Sequence, residues 1–316
     1  MNSVNKKQPR NLLFFLSPRF TDFDTYLPIV MELAEARSEW RNRFIIFHEQ
    51  NYRAILANHT MMAGLERCGS IHFLGSGDSK GIMRLWRRLK GFVVIAGWIL
   101  RHGRPVLFSS RAFSRIPYSL FAALARLRGG NNYLLWKKRS SDEIHHIIWQ
   151  VREPPEKEPV SLLARMLGPD QDAVIHYHDQ QKETLNEAAT YGRIYDVPWL
   201  RIGLPNYFPS WLRFINEQAE VERERLAQEG VARDAEIYTV FAPKPGSADN
   251  VGLPGSVEPT FKIITTTLAR LRPNAVILIR AHPQAMDEPY IREGIEAVGD
   301  MRILISLAHP EVLFAL

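Results

Sequence analysis

Cysteine is nearly absent. Cys68 is the single one in 316 residues, which excludes a disulfide scaffold and a cysteine-ligated zinc site and fits a reducing compartment. Long apolar runs are missing too: the longest uncharged apolar ones, Gly91–Leu100 and Ile116–Ala125, fall well short of the roughly 20 residues a helix needs to cross a bilayer. Lys6, Lys7 and Arg10 precede Leu12–Leu16, a run shorter than a signal-peptide core of roughly 7–15 residues, so it reads as a buried strand. Acid is missing from one long segment. Between Ser79 and Ser141 there is no Asp or Glu, while fourteen Lys and Arg stand there in a chain of net charge +6, so the remainder is net acidic. A net positive charge localised to one block is not a nucleic-acid-binding coat, and no RRM, KH or helix-turn-helix pattern accompanies it; no nucleic-acid partner is expected.

What is present is an alternation. Asn11–Leu16, Arg43–Phe47 and Ser70–Leu74 read as strands. A helix follows the first of them, with Asp24 at its N-cap and Leu27, Val30, Met31 and Leu33 at helical spacing. A single helix over Tyr52–Arg67 precedes the third. Repeated strand, loop and helix argue for an α/β fold with a Rossmann-like parallel sheet. The acid-free block is expected to interrupt this order as an insertion over 79–141, with two basic helical segments around a short strand at Val106–Phe108. Strands are then predicted at Ile144–Gln150, Ala173–His176 and Trp199–Ile202, and helices from Ser161 and over Thr184–Tyr191.

A charged helix over Pro209–Glu229, ending at Gly230 where a left-handed C-cap is wanted, reads as a connector. Beyond it come strand Glu236–Phe241, helix Thr260–Leu271, strand Ala275–Arg280, helix Pro289–Val298, strand Met301–Ser306 and a helical start at Pro310. The domain reading is thus 1–208 for a first Rossmann-like domain, 209–230 for the connecting helix and 231–316 for a second, short or incomplete one.

The strongest chemical signal is Val276-Ile-Leu-Ile-Arg-Ala-His-Pro283, an apolar strand delivering Arg280 and His282 to its carboxyl end. That edge is where open α/β sheets bind ligands. Arg offers a bidentate fork to phosphate, and an adjacent His one further hydrogen bond. The bland alternative has His282 capping the strand and Arg280 pairing with an acid. Phe241-Ala-Pro-Lys-Pro-Gly-Ser247 follows another strand; Lys244 supplies a mobile charge, and Gly246 with Ser247 lets backbone approach an anion. If the two strands are neighbours, both loops share one edge.

These two strand-loop pairs, with NLLFFLSPRFTDFDTYLPIVMEL over 11–33, resemble the GT-B glycosyltransferase superfamily, in the manner of surface and capsule polysaccharide enzymes of glycerophosphotransferase type. The resemblance implies two Rossmann-like domains facing each other, a nucleotide-linked donor mainly on the second and an acceptor mainly on the first. By position, Arg280 and His282 would hold the donor phosphates, flanked by Lys244 and Ser247. It implies no cofactor and no required metal, the nucleotide-activated donor being a substrate.

A catalytic base belongs at the first domain's strand ends. Asp22 follows the first strand. His178 and Asp179 in His176-Tyr-His-Asp179 compete with it; two His at i, i+2 without a third ligand favour substrate contact over a metal.

In the basic block, Ile82, Leu85, Trp86, Leu89, Val93, Ala96 and Leu100 fall within about 60° of one direction at about 100° per residue, while Arg84, Arg87 and Arg88 point away. With Trp86 and Trp98 favoured at interfaces, such a helix suits an anionic membrane, each basic residue adding about 1 kcal/mol near the surface. The alternative is a helix pair packed on the sheet with its basic face in water.

The sequence therefore predicts transfer of a sugar or polyol phosphate from a nucleotide-activated donor to a membrane-linked glycan acceptor. The expected setting is cytoplasmic, peripheral on the inner membrane face. The rivals are a sugar-nucleotide epimerase of the same fold and a non-catalytic peripheral module of an envelope-assembly complex.

Overall fold

Strand β1 (Asn11–Phe15) reads NLLFF with every residue buried, as befits a strand covered on both faces of a parallel sheet. The computed structural model describes residues 10–16, 20–77, 79–101, 103–110, 117–136, 171–176, 198–242, 257–281, 289–296 and 303–316. The chain divides into two units, Met1–Ile55 with Gly64–Trp211, and Leu56–Ala63 with Leu212–Leu316.

In the first unit, β1 joins β2 (Arg41–Ile46), β3 (Ser70–Phe73), β4 (Val106–Ser109), β5 (Asn131–Trp136), β6 (Ala173–His176) and β7 (Trp199–Arg201). All pair in parallel, in the order β3-β2-β1-β4-β5-β6-β7. The order reverses between β1 and β4, the switch point of a doubly wound, Rossmann-like sheet.

Phe14 is flanked in register by Phe44 and Phe108, whose rings stack on it at 5.3 and 4.6 Å. Helix α1 (Phe20–Ala36) covers this face, Tyr26 meeting Phe14 edge-on at 5.6 Å and Phe23 meeting Phe44 at 5.1 Å. On the other face Leu13 and Phe15 pack with Ile95 and Ile99 of α4 (Gly81–Arg101) and with Phe121 of α5 (Tyr118–Leu127).

Three local expectations are corrected. Asp24 is not an N-cap but lies inside α1, because buried Phe23 carries the stripe of Leu27 and Val30 one turn further back. Pro28, also inside α1, has no N–H for the Asp24 carbonyl. The single helix over Tyr52–Arg67 is two, α2 (Glu49–Leu56) and α3 (His59–Cys68). The break is Asn58, whose Oδ1 accepts the Met61 N–H at 3.0 Å as an N-cap does.

Finally, the acid-free segment does not interrupt the alternation. It supplies the inner strands β4 and β5. β5 went unseen because Asn131-Asn132 look like a turn. Asn132 is buried in the strand, its amide donating to the Ala122 carbonyl at 3.2 Å and its N–H to Asp172 Oδ2 at 2.6 Å. The strand expected at Ile144–Gln150 and the helices from Ser161 and over Thr184–Tyr191 lie outside the described residues.

The second unit takes up α6 (Pro209–Gln228) from Leu212 onward. Gly230, at φ +88, ends it. Val231 N–H reaches Leu226 O and Gly230 N–H reaches Ala227 O, both at 3.0 Å, the two bonds of a Schellman cap. There follow β8 (Ile237–Ala242), α7 (Val257–Leu271), β9 (Val276–Ala281), α8 (Pro289–Glu296), β10 (Ile303–Ile305) and α9 (Pro310–Phe314). The strands form a parallel sheet in the order β10-β9-β8. Ile277 and Ile279 face Phe261, Tyr290 and Ile291, while Val276 and Leu278 face Leu226 and Leu313. Burial on both faces is why VILI reads as a continuous apolar run.

Candidate functional site

β8 and β9 are neighbours, so the condition on which the two loops share an edge is met. Phe241 stands opposite Arg280, and Ala242 opposite Ala281. Lys244 and Ser247 follow β8 in the chain and His282 follows β9; all three lie outside the described residues. β10 ends level with its partner, Ser306 N–H donating to the Ile279 carbonyl at 3.0 Å. The carboxyl ends of all three strands therefore form one edge, the ligand-binding edge of such sheets.

Arg280 lies on the β9 face that carries Val276 and Leu278, by strand alternation. It is 8% exposed, and its Nε donates to the Ala308 carbonyl at 2.7 Å. That bond fixes the plane of the guanidinium and ties the β9 end to the segment after β10. A backbone carbonyl is thus one partner of Arg280, beside the acid pairing weighed for it.

The same segment is held by a network that the sequence did not single out. Glu222 on α6 takes a two-pronged contact from Arg225, Nε to Oε2 at 2.9 Å and Nη2 to Oε1 at 2.8 Å. Its Oε1 also accepts from Ser306 Oγ at 2.7 Å. Ser306 Oγ in turn accepts the Ala308 N–H at 3.2 Å. Burial alone would raise the Glu222 carboxyl, but the bonds from Arg225 and Ser306 and the nearby positive charges of Arg225 and His59 outweigh it and hold the pKa below the ordinary value. His309 is buried, its Nδ1 accepting the Glu311 N–H at 3.3 Å at the start of α9. Glu222 sits in a helix where Glu and Arg recur at every turn, so its sequence gives no sign that it turns inward.

In the first unit, Asp22 is the third residue of α1, after β1 at the switch point. β4 ends beside it in register, with Phe15 opposite buried Ser109. His178 and Asp179 lie outside the described residues; β6 ends at His176, whose carbonyl accepts the Ile202 N–H at 3.0 Å. Among the described residues no group of three or more His, Cys, Asp or Glu is placed to hold a metal ion. Nor, among them, is any helix long and apolar enough to cross a membrane.

Of the residues read as a membrane surface, Arg84, Trp86, Arg87 and Arg88 are exposed on α4. Trp98 is not on that surface. It turns inward, its ring 5.1 Å from the Arg43 guanidinium and 4.7 Å from the His72 ring. Burial and the Arg43 charge lower the His72 pKa.

No protein-family model matches the chain, and no curated protein matches it by sequence. Solved structures to which the chain shows similarity include a UDP-GlcNAc 2-epimerase from Neisseria meningitidis bound to UDP-GlcNAc. It is 11% identical over 97% of this chain and 74% of its own, with a TM-score of 0.47. A UGT from Glycyrrhiza uralensis complexed with glycyrrhetinic acid 3-O-monoglucuronide is 9% identical over 97% and 70%, at 0.46. Anabaena HepE in complex with UDP and glucose is 12% identical over 96% and 71%, at 0.45. The α/β class of this chain rests on its own parallel strand order.

Proposed function

We propose that the protein is a GT-B-type transferase. It would move a sugar or polyol phosphate from a nucleotide-activated donor to a membrane-linked glycan acceptor, in surface polysaccharide assembly on the cytoplasmic side of the membrane. The observation that carries this reading is the register of β8 and β9, which starts the Lys244–Ser247 and Arg280–His282 segments from one edge of a parallel sheet. Two basic segments that follow strands ending at one edge suit the phosphates of a nucleotide donor.

The chemistry is a direct displacement. The acceptor hydroxyl oxygen bonds to the anomeric carbon or phosphorus as the bond to the nucleotide phosphate oxygen breaks. The hydroxyl proton passes to a base, for which Asp22, His178 and Asp179 are the candidates. The negative charge left on the departing nucleotide is stabilised by Arg280, His282, Lys244 and Ser247.

Thermal shift with CMP-, CDP-, UDP- and GDP-linked compounds tests the donor site. At least one should raise the melting temperature of the wild type, and Arg280→Ala and His282→Ala should abolish that rise. No shift with any of the four would count against a donor site and favour a non-catalytic module.

A further inference from the structure

Helix α4 has two apolar faces, and among the described residues only one is covered. Gly91, Ile95 and Ile99 are buried, the two Ile in the core beneath α5. The stripe Ile82, Leu85, Trp86, Leu89, Val93 and Leu100 is exposed, from 48% at Leu100 to 75% at Ile82. At about 100° per residue this stripe is centred roughly 140° away from the buried face. The helix pair does pack on the sheet with Arg84, Arg87 and Arg88 exposed, but the face of α4 that packs is Gly91, Ile95 and Ile99 and not this stripe. From Ile82 to Leu100 the stripe runs roughly 27 Å at about 1.5 Å per residue. Over Gly81–Lys90 every residue is exposed, so apolar contact within the unit does not explain the apolar side chains there.

Charge identifies what covers the stripe. By the same projection Lys90 and Arg101 border it on one side, and Arg88 lies further round on the other, about 120° from its centre. Arg87 reaches back to the Ser76 carbonyl at 3.3 Å. No Asp or Glu occurs anywhere from 79 to 141. A second copy of this chain would set cations against cations. An anionic lipid surface offers phosphates to the borders and an acyl boundary to the stripe.

We propose that α4 lies in the plane of an anionic phospholipid bilayer, with Leu85, Trp86, Leu89 and Val93 at the acyl boundary and Arg88, Lys90 and Arg101 on headgroup phosphates. This deepens the reading of a membrane-linked acceptor and rests on it only for the reason such docking would serve. Nucleotide binding is read separately, so either can fail alone.

The test is co-sedimentation of the full chain with phosphatidylcholine vesicles, with and without phosphatidylglycerol. The wild type pellets with the anionic vesicles only. Leu85→Ser/Trp86→Ser/Leu89→Ser and Arg88→Glu/Lys90→Glu/Arg101→Glu each weaken partitioning about tenfold or more, while melting at the wild-type temperature and keeping any nucleotide-induced shift. Wild type left in the supernatant with anionic vesicles overturns the proposal, as does undiminished binding by the triple Ser variant. So does a wild-type dimer in light scattering that the triple Ser variant turns into a monomer, which would give the face to a second copy. A wild type that binds vesicles but shifts with no nucleotide sinks the transferase reading alone.

Discussion

Val93 and Ile95 stand two residues apart on α4 and face opposite ways: Ile95 is fully buried in the core, and Val93 is 59% exposed. A helix advances about 100° per residue, so such neighbours are separated by more than half a turn. Both are β-branched and apolar, and the difference between them is environment. Ile95→Ala should cost about 2–5 kcal/mol, the range for emptying a core site of this size. Val93→Ser should stay within about 0.5 kcal/mol, since it removes an exposed side chain. Urea denaturation of both variants checks the pair; equal losses would mean that α4 is turned differently from the description above.

Two glycines on the same helix make an opposed pair. A Cβ at Gly91 would stand 2.6 Å from the Leu74 carbonyl oxygen, a backbone atom that cannot swing aside, whereas one at Gly97 would meet nothing within 4 Å. Gly91→Ala should therefore destabilise by about 1–3 kcal/mol through overpacking. Gly97→Ala should stabilise by about 0.5–1 kcal/mol, because Gly in a helix interior costs backbone entropy. Thermal melts should move in opposite directions.

Cys68 gives a probe of opening. Burial pushes its thiol up to about 12, only partly offset by the Arg67 charge. Near pH 8 its thiolate fraction is then roughly a thousandfold below that of a thiol at 9.0. A disulfide reagent should label the native protein well below the rate of a model thiol, burial also blocking access, and the urea-unfolded chain at the model rate. Rapid labelling in native buffer would contradict the burial of the α3 terminus.

The parts of the fold legible in the sequence are those where one physical signal dominates. β1 and β9 are continuous apolar runs because both their faces are covered, and Gly230 marks the end of α6 because a positive φ is needed there. The parts that misled carry polar side chains satisfied from afar. Asn132 looks like a turn until its bonds to Ala122 and Asp172 are seen, and Asn58 splits a helix that periodicity alone would continue. For the candidate site, the adjacency of β8 and β9 was a condition in the sequence and is settled by register. Glu222 was illegible, because nothing local distinguishes it from the other acids of α6. The stripe on α4 was legible as a stripe, but its outward direction depends on Ile95 and Ile99 taking the core side.

Glu222 supplies the pH dependence of the second unit. Its carboxyl titrates below the ordinary 4.5 in the folded chain, as the Arg225 and Ser306 bonds and the Arg225 and His59 charges outweigh burial. The unfolded chain therefore takes up this proton first as the pH falls. The contribution is complete above about pH 5 and is lost as the pH drops through 4.5 to the lower folded value. Glu222→Gln should cost about 1–3 kcal/mol at neutral pH, the range for losing hydrogen bonds to a charged group. The lower end is favoured because Arg225 is 36% exposed and water screens the pair. Urea melts of wild type and variant at pH 7 and at successive steps down to about pH 3 should converge as the wild type loses what the variant lacks. Ser306→Ala keeps the charge and the Arg225 contact while removing the bond to Glu222 and the acceptor of the Ala308 N–H, so the pH-dependent part of its loss should fall between them. A stability gap between Glu222→Gln and wild type that is unchanged from neutral to acid pH would mean that the carboxylate is not held by this network.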